Sequence, residues 1–417
     1  MLRTIRTDQL RPGMFVQRLS GSWLDHPFWR SSFLADADAV ARIGASGVET
    51  LVIDISQGLD AAPEPQARAA STATSSTDST PVDDTPVQAG SATTPASTHA
   101  PRSVPEGSFE AEVKQARTLL EEGRALVEAM FGEARLGRSV DTGQATPLVE
   151  AVCASVLRNP HALISVARLK TADDYTYLHS MAVAGLMAAL ARQLGLPEDE
   201  VHAAAKGGLL HDMGKAMSPL AVLNKPGSLT EAEYGAMRRH PEDGHRLLVD
   251  SGVDDPAALD IALHHHEKMD GSGYPARLSG ERISRMARMA AVCDVYDAIT
   301  SDRPYKRGWC PAESLRRMAS WTGHFDPAIF QAFVKSLGIY PVGTLVRLQS
   351  QQLAVVIEQA PGALLKPRVR VFHCLRRRAR VLMHDVDLAT TGDGDRILQP
   401  ESPAEFGLRD LEKLWLP

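Results

Sequence analysis

Histidine and aspartate residues gather in the middle of the chain, and their side-chain types predict a metal site. Eight of the 14 His residues lie between positions 179 and 266, and several of them stand beside Asp or Glu. Imidazole and carboxylate ligands together suit borderline divalent ions such as Fe, Mn, Co, Ni or Zn, whereas sites built from oxygen alone suit Mg or Ca. The pattern therefore predicts a mixed nitrogen and oxygen site, if one domain brings these residues together.

The pair His211-Asp212 stands where an apolar helical turn ends, directly after Gly207-Gly208-Leu209-Leu210. Lys215 follows three residues after Asp212. This order places a nitrogen ligand, an oxygen ligand and a mobile cation at one helix end, which suits a metal and a phosphate. A second pair, His384-Asp385, lies in the β-rich tail of the chain without other ligands nearby, and we interpret it as a surface feature.

His240 and the run His264-His265-His266-Glu267 supply further imidazoles. Pro241 cannot continue the helix that precedes it, so His240 is expected at a corner from which it can point into a cleft. Neighbouring residues on a helix diverge by about 100°, so three consecutive His cannot share one face. We favour His265 and His266 as ligands because they adjoin the Gly-rich turn that follows.

Asp294 lies inside an apolar helical stretch, Val292–Ala298. A buried carboxylate without a partner is costly, and a metal ion is one of the few partners strong enough to offset that cost. The alternative is an ion pair with Arg288 or Arg303, which we favour less. Asp297, three residues later, is expected to hold a ligand His in place.

His179 stands at the polar start of a long apolar helical stretch, Ala182–Leu190. Taken alone, it would predict a structural role. Its position ahead of this helix, in the same domain as the other His residues, makes it a further candidate ligand.

Apolar periodicity and composition divide the chain into five segments of a multidomain protein. Residues 1–56 predict a small α+β module. Residues 57–107 are rich in Ser, Thr, Pro and Ala and predict a disordered linker, since they can bury little apolar surface. Helical periodicity predicts a connecting helix in 108–146 and an all-α bundle as the catalytic core over 147–338. Short β-like runs predict a small β-rich appendage over 339–417.

The bulk properties fit a protein of the cytosol. The chain of 417 residues has a formal net charge of -6, which argues against binding to a nucleic-acid polymer, because such binding usually needs a basic face. Its four Cys residues are widely separated and predict neither a disulfide framework nor a zinc ribbon. The start lacks a signal peptide and no apolar run reaches the ~18 residues of a membrane span, so we expect a cytoplasmic location.

Together these motifs resemble the HD-GYP family, a branch of the HD phosphohydrolases. The resemblance covers roughly residues 150–335 and runs through His179, His211–Lys215, His240-Pro241, His265–Glu267, Asp270–Pro275, Asp294–Ala298 and Arg303–Lys306. The segment Leu10–Val16 also resembles a small module that often precedes such domains. The resemblance implies a helical bundle that holds two or three metal ions and hydrolyses cyclic di-GMP to pGpG, or on to GMP, with a metal-activated hydroxide.

The resemblance also implies a ligand set. One ion would be held by His179, His211, Asp212 and Asp294, and a second by His240, His265 and His266, with Asp212 bridging the pair. Members with three ions carry a Glu four residues before the first ligand His, whereas this chain has Tyr175 there, beside Asp174. The expectation is therefore a binuclear site that holds two divalent ions, Fe or Mn in preference to Zn, Co or Ni.

Basic residues would serve the phosphates of the substrate. Lys215, close to the ligand Asp212, would act in catalysis by stabilising a phosphate oxygen or assisting the leaving group. Arg303 and Lys306 would bind the phosphates, with a solvated helix end as the alternative interpretation.

The segment Gly273-Tyr274-Pro275 would form a lip over the guanine or contact partner proteins, such as a diguanylate cyclase or an effector. The helix predicted in 108–146 is either a connector or a surface that pairs two subunits into a homodimer. Two alternatives to the hydrolase stay open: a catalytically weak cyclic di-GMP receptor, and an HD hydrolase of another nucleotide.

Overall fold

The computed structural model describes residues 2–19, 33–45, 50–59, 108–169, 175–225, 227–301, 308–360, 362–390, 394–408 and 410–416. From residue 60 onward, the predicted linker over 57–107 lies outside these ranges, and so do Arg303 and Lys306. The chain divides into two compact units, one of which takes in most residues up to Val104, and the other Pro105–Pro417. Each unit is described by itself.

The N-terminal unit is a four-stranded antiparallel sheet with one helix, as the sequence predicts. The strand order is β1-β4-β2-β3. Alternate residues of the strands, including Ile5, Val16, Leu51 and Ile53, form a small core with Ile43 of the helix. The elements are β1 Leu2–Arg6, β2 Phe15–Leu19, β3 Phe33–Leu34, α1 Ala37–Ala45 and β4 Thr50–Asp54.

The second unit begins with a bundle of helices, which confirms the predicted all-α core. Side-chain oxygens of Asn159, Asp255, Ser284 and Asp326 accept hydrogen bonds from free backbone amides at helix starts and so fix where four of these helices begin. The helices are α2 Phe109–Arg135, α3 Ala145–Arg158, α4 Pro160–Ala167, α5 Tyr175–Gln193, α6 Glu198–Leu210, α7 Leu220–Leu223, α8 Glu231–Met237, α9 His240–Asp250, α10 Pro256–His264, α11 Arg285–Thr300, α12 Pro311–Ala319 and α13 Pro327–Leu337.

Helix α5 runs through the centre of the bundle, because every residue from Met181 to Ala191 except Gly185 contributes a buried apolar side chain to the core. Helix α6 packs closely beside it. A Cβ added at Gly208 of α6 would lie 3.1 Å from the backbone of Ala184, so glycine allows the approach of the two helices. The close packing against α5 places the end of α6, directly before His211, in the interior of the bundle.

Helix α2 packs its apolar stripe into the same core, through residues such as Val127, Met130 and Phe131. The stripe that offered a surface for pairing subunits is therefore covered within the chain, and a homodimer through this helix would have to use its outward face. The buried carboxylate of Glu112 accepts hydrogen bonds from Ser155 Oγ at 2.8 Å and Arg158 Nε at 2.7 Å, which fastens α2 to α3.

The chain closes with a five-stranded antiparallel sheet, as the β-like runs after residue 339 predict. Its strand order is β8-β7-β6-β5-β9. Both faces carry apolar clusters, one of which includes Phe109 at the start of α2. The strands are β5 Leu345–Leu348, β6 Gln352–Glu358, β7 Arg368–Cys374, β8 Ala379–Asp387 and β9 Ile397–Pro400.

Candidate metal centre

Seven side chains from five parts of the bundle meet in its interior. They come from the first turns of α5, the end of α6, the first residue of α9, the end of α10 and the middle of α11. Six of the seven are buried, and His266 is partly buried. The seven residues are His179, His211, Asp212, His240, His265, His266 and Asp294.

A first donor set consists of His179, His211 and Asp294, whose ligand atoms lie within 4.8 Å of one another. His179 Nε2 lies 3.0 Å from Asp294 Oδ1, and His211 Nε2 lies 3.9 Å from the same oxygen. Three ligand atoms at this separation, all buried, could hold a metal ion between them.

A second donor set consists of His240, His265 and His266, again within 4.8 Å. The Nε2 atoms of His240 and His265 face each other at 3.2 Å. His266 Nδ1 lies 3.7 Å from Asp294 Oδ2, so the second set adjoins the first.

Asp212 stands between the two sets and offers one oxygen to each. Its Oδ2 lies 3.4 Å from His179 Nε2 and 3.3 Å from His211 Nε2. Its Oδ1 lies 3.3 Å from His240 Nε2 and 3.8 Å from His265 Nε2. A carboxylate placed in this way has the geometry needed to bridge two cations.

Lys215 approaches the centre from the short turn that follows Asp212, and its Nζ contacts Asp212 Oδ2. Gly214 makes this turn possible, since a Cβ there would lie 1.9 Å from the backbone oxygen of His240. The start of α9 and the turn after α6 therefore pack backbone to backbone, which brings His240 next to Asp212.

Backbone carbonyls fix the ring tautomer of three His residues. The Nδ1 atoms of His211 and His240 lie 2.7 Å from the carbonyl oxygens of Gly208 and Met237, and His265 Nδ1 lies 3.0 Å from that of Ile261. A carbonyl only accepts, so each Nδ1 must carry the proton. Each Nε2 is then left with a lone pair that points into the centre, as a metal ligand requires.

Asp297 performs the same task for His179. Its Oδ2 lies 2.6 Å from His179 Nδ1, on the opposite side of the ring from the centre. Ser301 Oγ in turn donates to Asp297 Oδ1 at 3.3 Å. The carboxylate therefore orients the ring so that Nε2 faces Asp212 and Asp294.

Two buried atoms of the centre have no hydrogen-bond partner among the described residues: His211 Nε2 and Asp212 Oδ1. Leaving such an atom unpaired costs about 1–3 kcal/mol. A cation beside both atoms would remove that cost. Together with the imidazole and carboxylate donors, this fits a divalent metal ion.

Burial governs the protonation of the second donor set. The loss of water lowers the pKa of His240 to about 4 and that of His265 to about 3, and it lowers the pKa of His266 well below its ordinary value. All three rings are therefore neutral near pH 7, which is the form that binds a metal.

The first donor set attracts positive charge instead. Burial disfavours the charged form of His179, but Asp212, Asp294 and Asp297 outweigh it and raise the pKa of this ring to about 10. The pKa values of Asp212 and Asp294 are held well below their usual range, because nearby His and Lys charges overcome the effect of burial. The three carboxylates thus stabilise a positive charge here, which a proton or a metal ion can supply.

The loop Gly273-Tyr274-Pro275 lies against this centre. Tyr274 stacks on His266, with ring centroids 4.7 Å apart. The buried Glu267 holds the loop, because it accepts hydrogen bonds from Ala276 N at 2.7 Å and Leu278 N at 3.0 Å. The residue type of Glu267 does not predict this role, because its partners are backbone amides.

Other candidate residues lie elsewhere. His264 turns away and contacts Asp260 at 2.8 Å, as expected for the first residue of the run. Arg288 pairs with Asp326 at 2.6 Å and not with Asp294. His384 and Asp385 are exposed on β8. Arg303, Lys306 and Asp174, and the side chain of Tyr175, lie outside what the structure describes.

Comparisons with known proteins match both parts of the chain. A family model described as "HD domain" matches residues 155–329, and one described as "Domain of unknown function (DUF3391)" matches residues 2–145. The first match contains all seven residues of the centre. The second joins the N-terminal unit, the predicted linker and helix α2 in one family.

Three curated relatives illustrate the range of similarity. The "Cyclic di-GMP phosphodiesterase PA4108" of Pseudomonas aeruginosa is 49% identical over 417 residues, which is 100% of this chain and 96% of that protein. The "Cyclic di-GMP phosphodiesterase response regulator RpfG" of Xanthomonas campestris pv. campestris is 44% identical over 41% of this chain and 47% of its own length. The "3'3'-cGAMP-specific phosphodiesterase 1" of Vibrio cholerae is 36% identical over 39% of this chain and 38% of its own length.

The first relative aligns from end to end, and the other two align over less than half of their own length. A match of 49% identity along the whole chain is far beyond chance, and its span covers the residues of the centre. With its seven converging His and Asp residues and its Gly-Tyr-Pro loop, the chain belongs to the HD-GYP family.

Proposed function

We propose that this chain is a metal-dependent phosphodiesterase that hydrolyses cyclic di-GMP to pGpG or on to GMP. The observation that carries the proposal is the placement of Asp212, whose two oxygens face two separate sets of imidazoles. Relatives with printed names of cyclic di-GMP phosphodiesterases support the choice of substrate, one of them over the whole chain.

The seven residues of the centre would hold two divalent ions, Fe or Mn in preference to Zn, Co or Ni. When bound, such ions lower the pKa of a water molecule and neutralise charge on a phosphodiester. The protein's own part is orientation. Backbone carbonyls and Asp297 turn the rings, and Asp212 spaces the two donor sets, so the ligands are in place before the substrate arrives.

Lys215 would act on the phosphate from its position beside Asp212. Its ammonium group contacts Asp212 Oδ2 and its side chain is 21% exposed, so it can reach both the carboxylate and a substrate oxygen. Arg303 and Lys306 would bind the phosphates, and Gly273, Tyr274 and Pro275 would line the substrate side of the centre. These roles are predictions for the residues named.

Hydrolysis by the full chain, loaded without oxygen with Mn(II) or Fe(II), tests the proposal. Chromatography over time should show cyclic di-GMP converted to pGpG, or through pGpG to GMP. His211→Ala should abolish the conversion. His384→Ala, in the exposed His-Asp pair, is the matched control and should leave it unchanged. Absence of product with both metals would overturn the proposal, and tight binding without product would identify a receptor.

A second substrate is favoured by one comparison. The relative from Vibrio cholerae at 36% identity is named for 3'3'-cGAMP, which presents the same two phosphodiesters with one adenine. Assays with both dinucleotides in competition would separate the two substrates. A higher kcat/KM for 3'3'-cGAMP would replace cyclic di-GMP in the proposal.

Location and partners remain predictions. None of the helices in the described part of the chain is long and apolar enough to cross a membrane. We propose a cytoplasmic location, contacts with a diguanylate cyclase or effector through the Gly-Tyr-Pro loop, and a homodimer that uses the outward face of α2.

A further inference from the structure

A column of three side chains leads from the surface to the second donor set. The guanidinium carbon of Arg238 lies 4.4 Å from the ring centroid of Tyr274. The ring of Tyr274 lies 4.7 Å from that of His266, and the two planes differ by 28°. We propose that Arg238 is a positioning residue, which presses Tyr274 onto His266 and thereby sets the orientation of this ligand. The inference rests on the metal site of the proposed function, and not on its substrate.

His266 needs such support because its ring lacks the anchor that the other four His residues have. His211, His240 and His265 direct Nδ1 at backbone carbonyls, and His179 directs it at Asp297. Within the described ranges, the imidazole of His266 makes no hydrogen bond, and its closest carboxylate oxygen contact is 3.7 Å. Its orientation must therefore come from ring packing.

Ring packing on His266 comes from three neighbours. Its centroid lies 4.2 Å from that of His265 and 4.9 Å from that of His240, and both of these are ligands of the same set. Tyr274 is the neighbour that does not belong to the donor set, and it meets His266 in the most nearly parallel arrangement. Tyr274 can therefore hold the ring whether or not an ion is bound.

The backbone beneath Tyr274 is fixed, so pressure on its ring reaches His266. Tyr274 N donates to the carbonyl oxygen of His266 at 3.2 Å. A Cβ at Gly273 would lie 2.5 Å from the Cα of Glu267, so the loop runs directly over the residue that follows His266. The free variable is the tilt of the Tyr274 ring, and Arg238 limits that tilt.

Arg238 is well placed to couple ligands of one set. It directly follows the last residue of helix α8 and stands two residues before His240. The same turn supplies the Met237 carbonyl that the His240 ring contacts. A guanidinium group over an aromatic face is attracted by the ring quadrupole. The turn that orients His240 thus also carries the cation that orients His266.

Metal binding without turnover tests this inference. Calorimetric titration of the full, metal-free chain with Mn(II) under anaerobic conditions gives the affinity of each ion. Arg238→Ala should lower the affinity for one of the two ions by roughly 3- to 30-fold, the range that loss of a cation–π contact implies. Arg238→Lys, which keeps a cation, should recover part of the loss. Arg239→Ala is the matched control. The side chain of Arg239, next to Arg238 in the chain, is 67% exposed and pairs only loosely with Asp243 at 3.6 Å.

A double-mutant cycle separates positioning from a general structural effect. Tyr274→Leu should lower the affinity for the same ion. In the Tyr274→Leu background, Arg238→Ala should lower it little further, since Arg238 acts on His266 through the Tyr274 ring. Additive losses would overturn the inference, as would equal weakening of both ions, no change in Arg238→Ala, or a wild-type chain that binds a single ion. If the ions bind as expected and cyclic di-GMP is not cleaved, the proposed function fails and this inference stands.

Discussion

Asp297 Oδ2 lies 2.6 Å from His179 Nδ1, although 118 positions separate the two residues in the chain. This contact turns the ring of His179 toward Asp212 and Asp294. Replacing Asp297 with Asn keeps the shape but removes the charge that orients and polarises the imidazole. We expect metal affinity to fall about 10- to 100-fold, the usual effect of losing such a partner.

Metal titration of Asp297→Asn, with circular dichroism to check folding, measures this effect. Ser301→Ala is the control, because the Ser301 hydroxyl donates to the other side-chain oxygen of Asp297 at 3.3 Å and its loss should change affinity far less. Unchanged affinity in Asp297→Asn would mean that His179 is oriented by its other contacts.

Gly214 and Gly132 make a matched pair for the packing of the centre. A Cβ at Gly214 would lie 1.9 Å from the carbonyl oxygen of His240, whereas a Cβ at Gly132 of α2 meets nothing within 4 Å. Gly214→Ala should therefore push α9 away and lower the free energy of unfolding by about 1–3 kcal/mol or more. Gly132→Ala should raise it by up to about 1 kcal/mol, since Ala favours a helix.

Thermal and urea unfolding of the two variants test this difference in sign. Gly214→Ala should also lose metal, because His240 and Asp212 separate. Equal stability of the two variants would show that the turn after α6 can move without disturbing α9.

Glu267 should be the residue that keeps the Gly-Tyr-Pro loop ordered. Its carboxylate accepts two backbone hydrogen bonds while only 2% of the residue is exposed. Glu267→Gln leaves an NH2 group facing one of these amides, so we expect a loss of about 1–3 kcal/mol in local stability. Hydrogen exchange at Ala276 and Leu278 should become faster, with little change at the centre of α5.

Glu267→Gln is expected to change the stability of the loop and not that of the whole protein. If the variant has the same melting temperature as the wild type but exchanges faster in the loop, the result supports the role of Glu267 in holding the loop. Wild-type exchange at both amides would show that Pro275 and the chain around it hold the loop without the carboxylate.

The buried Glu112 should stabilise the attachment of α2 to α3. Its carboxylate accepts from Ser155 Oγ and from two nitrogens of Arg158, at 2.7–2.9 Å. Glu112→Gln removes the charge that these donors share, and we expect a loss of about 1–3 kcal/mol in the free energy of unfolding. Glu121→Gln, on the exposed side of the same helix, should change it by less than about 0.5 kcal/mol. Equal effects would place the attachment in the apolar contacts alone.

The order of elements could be predicted from the sequence because it depends on local patterns. Apolar periodicity of 3.6 marks the bundle, a Pro after His240 marks a corner, and β-like runs mark β5 to β7. The two outer strands β8 and β9 were not predicted. Most residues of β8 are exposed, so it lacks the apolar alternation that a half-buried strand shows.

The ligand types were also visible in the sequence, since imidazole and carboxylate groups recur at helix ends. Asp297 was expected to hold a ligand His, and the structure puts its carboxylate beside His179.

Sequence alone therefore determined the class of helices and strands, the family and the types of the candidate ligand residues, because these follow from residue types and short-range spacing. Tertiary structure decided that Asp212 divides its oxygens between two sets of imidazoles, that the stripe of α2 is buried within the chain, and that Arg238, Tyr274 and His266 form one column. Most of those contacts join residues that are tens of positions apart in the chain. They depend on how closely helices pack and which way rings turn, and no local pattern encodes either.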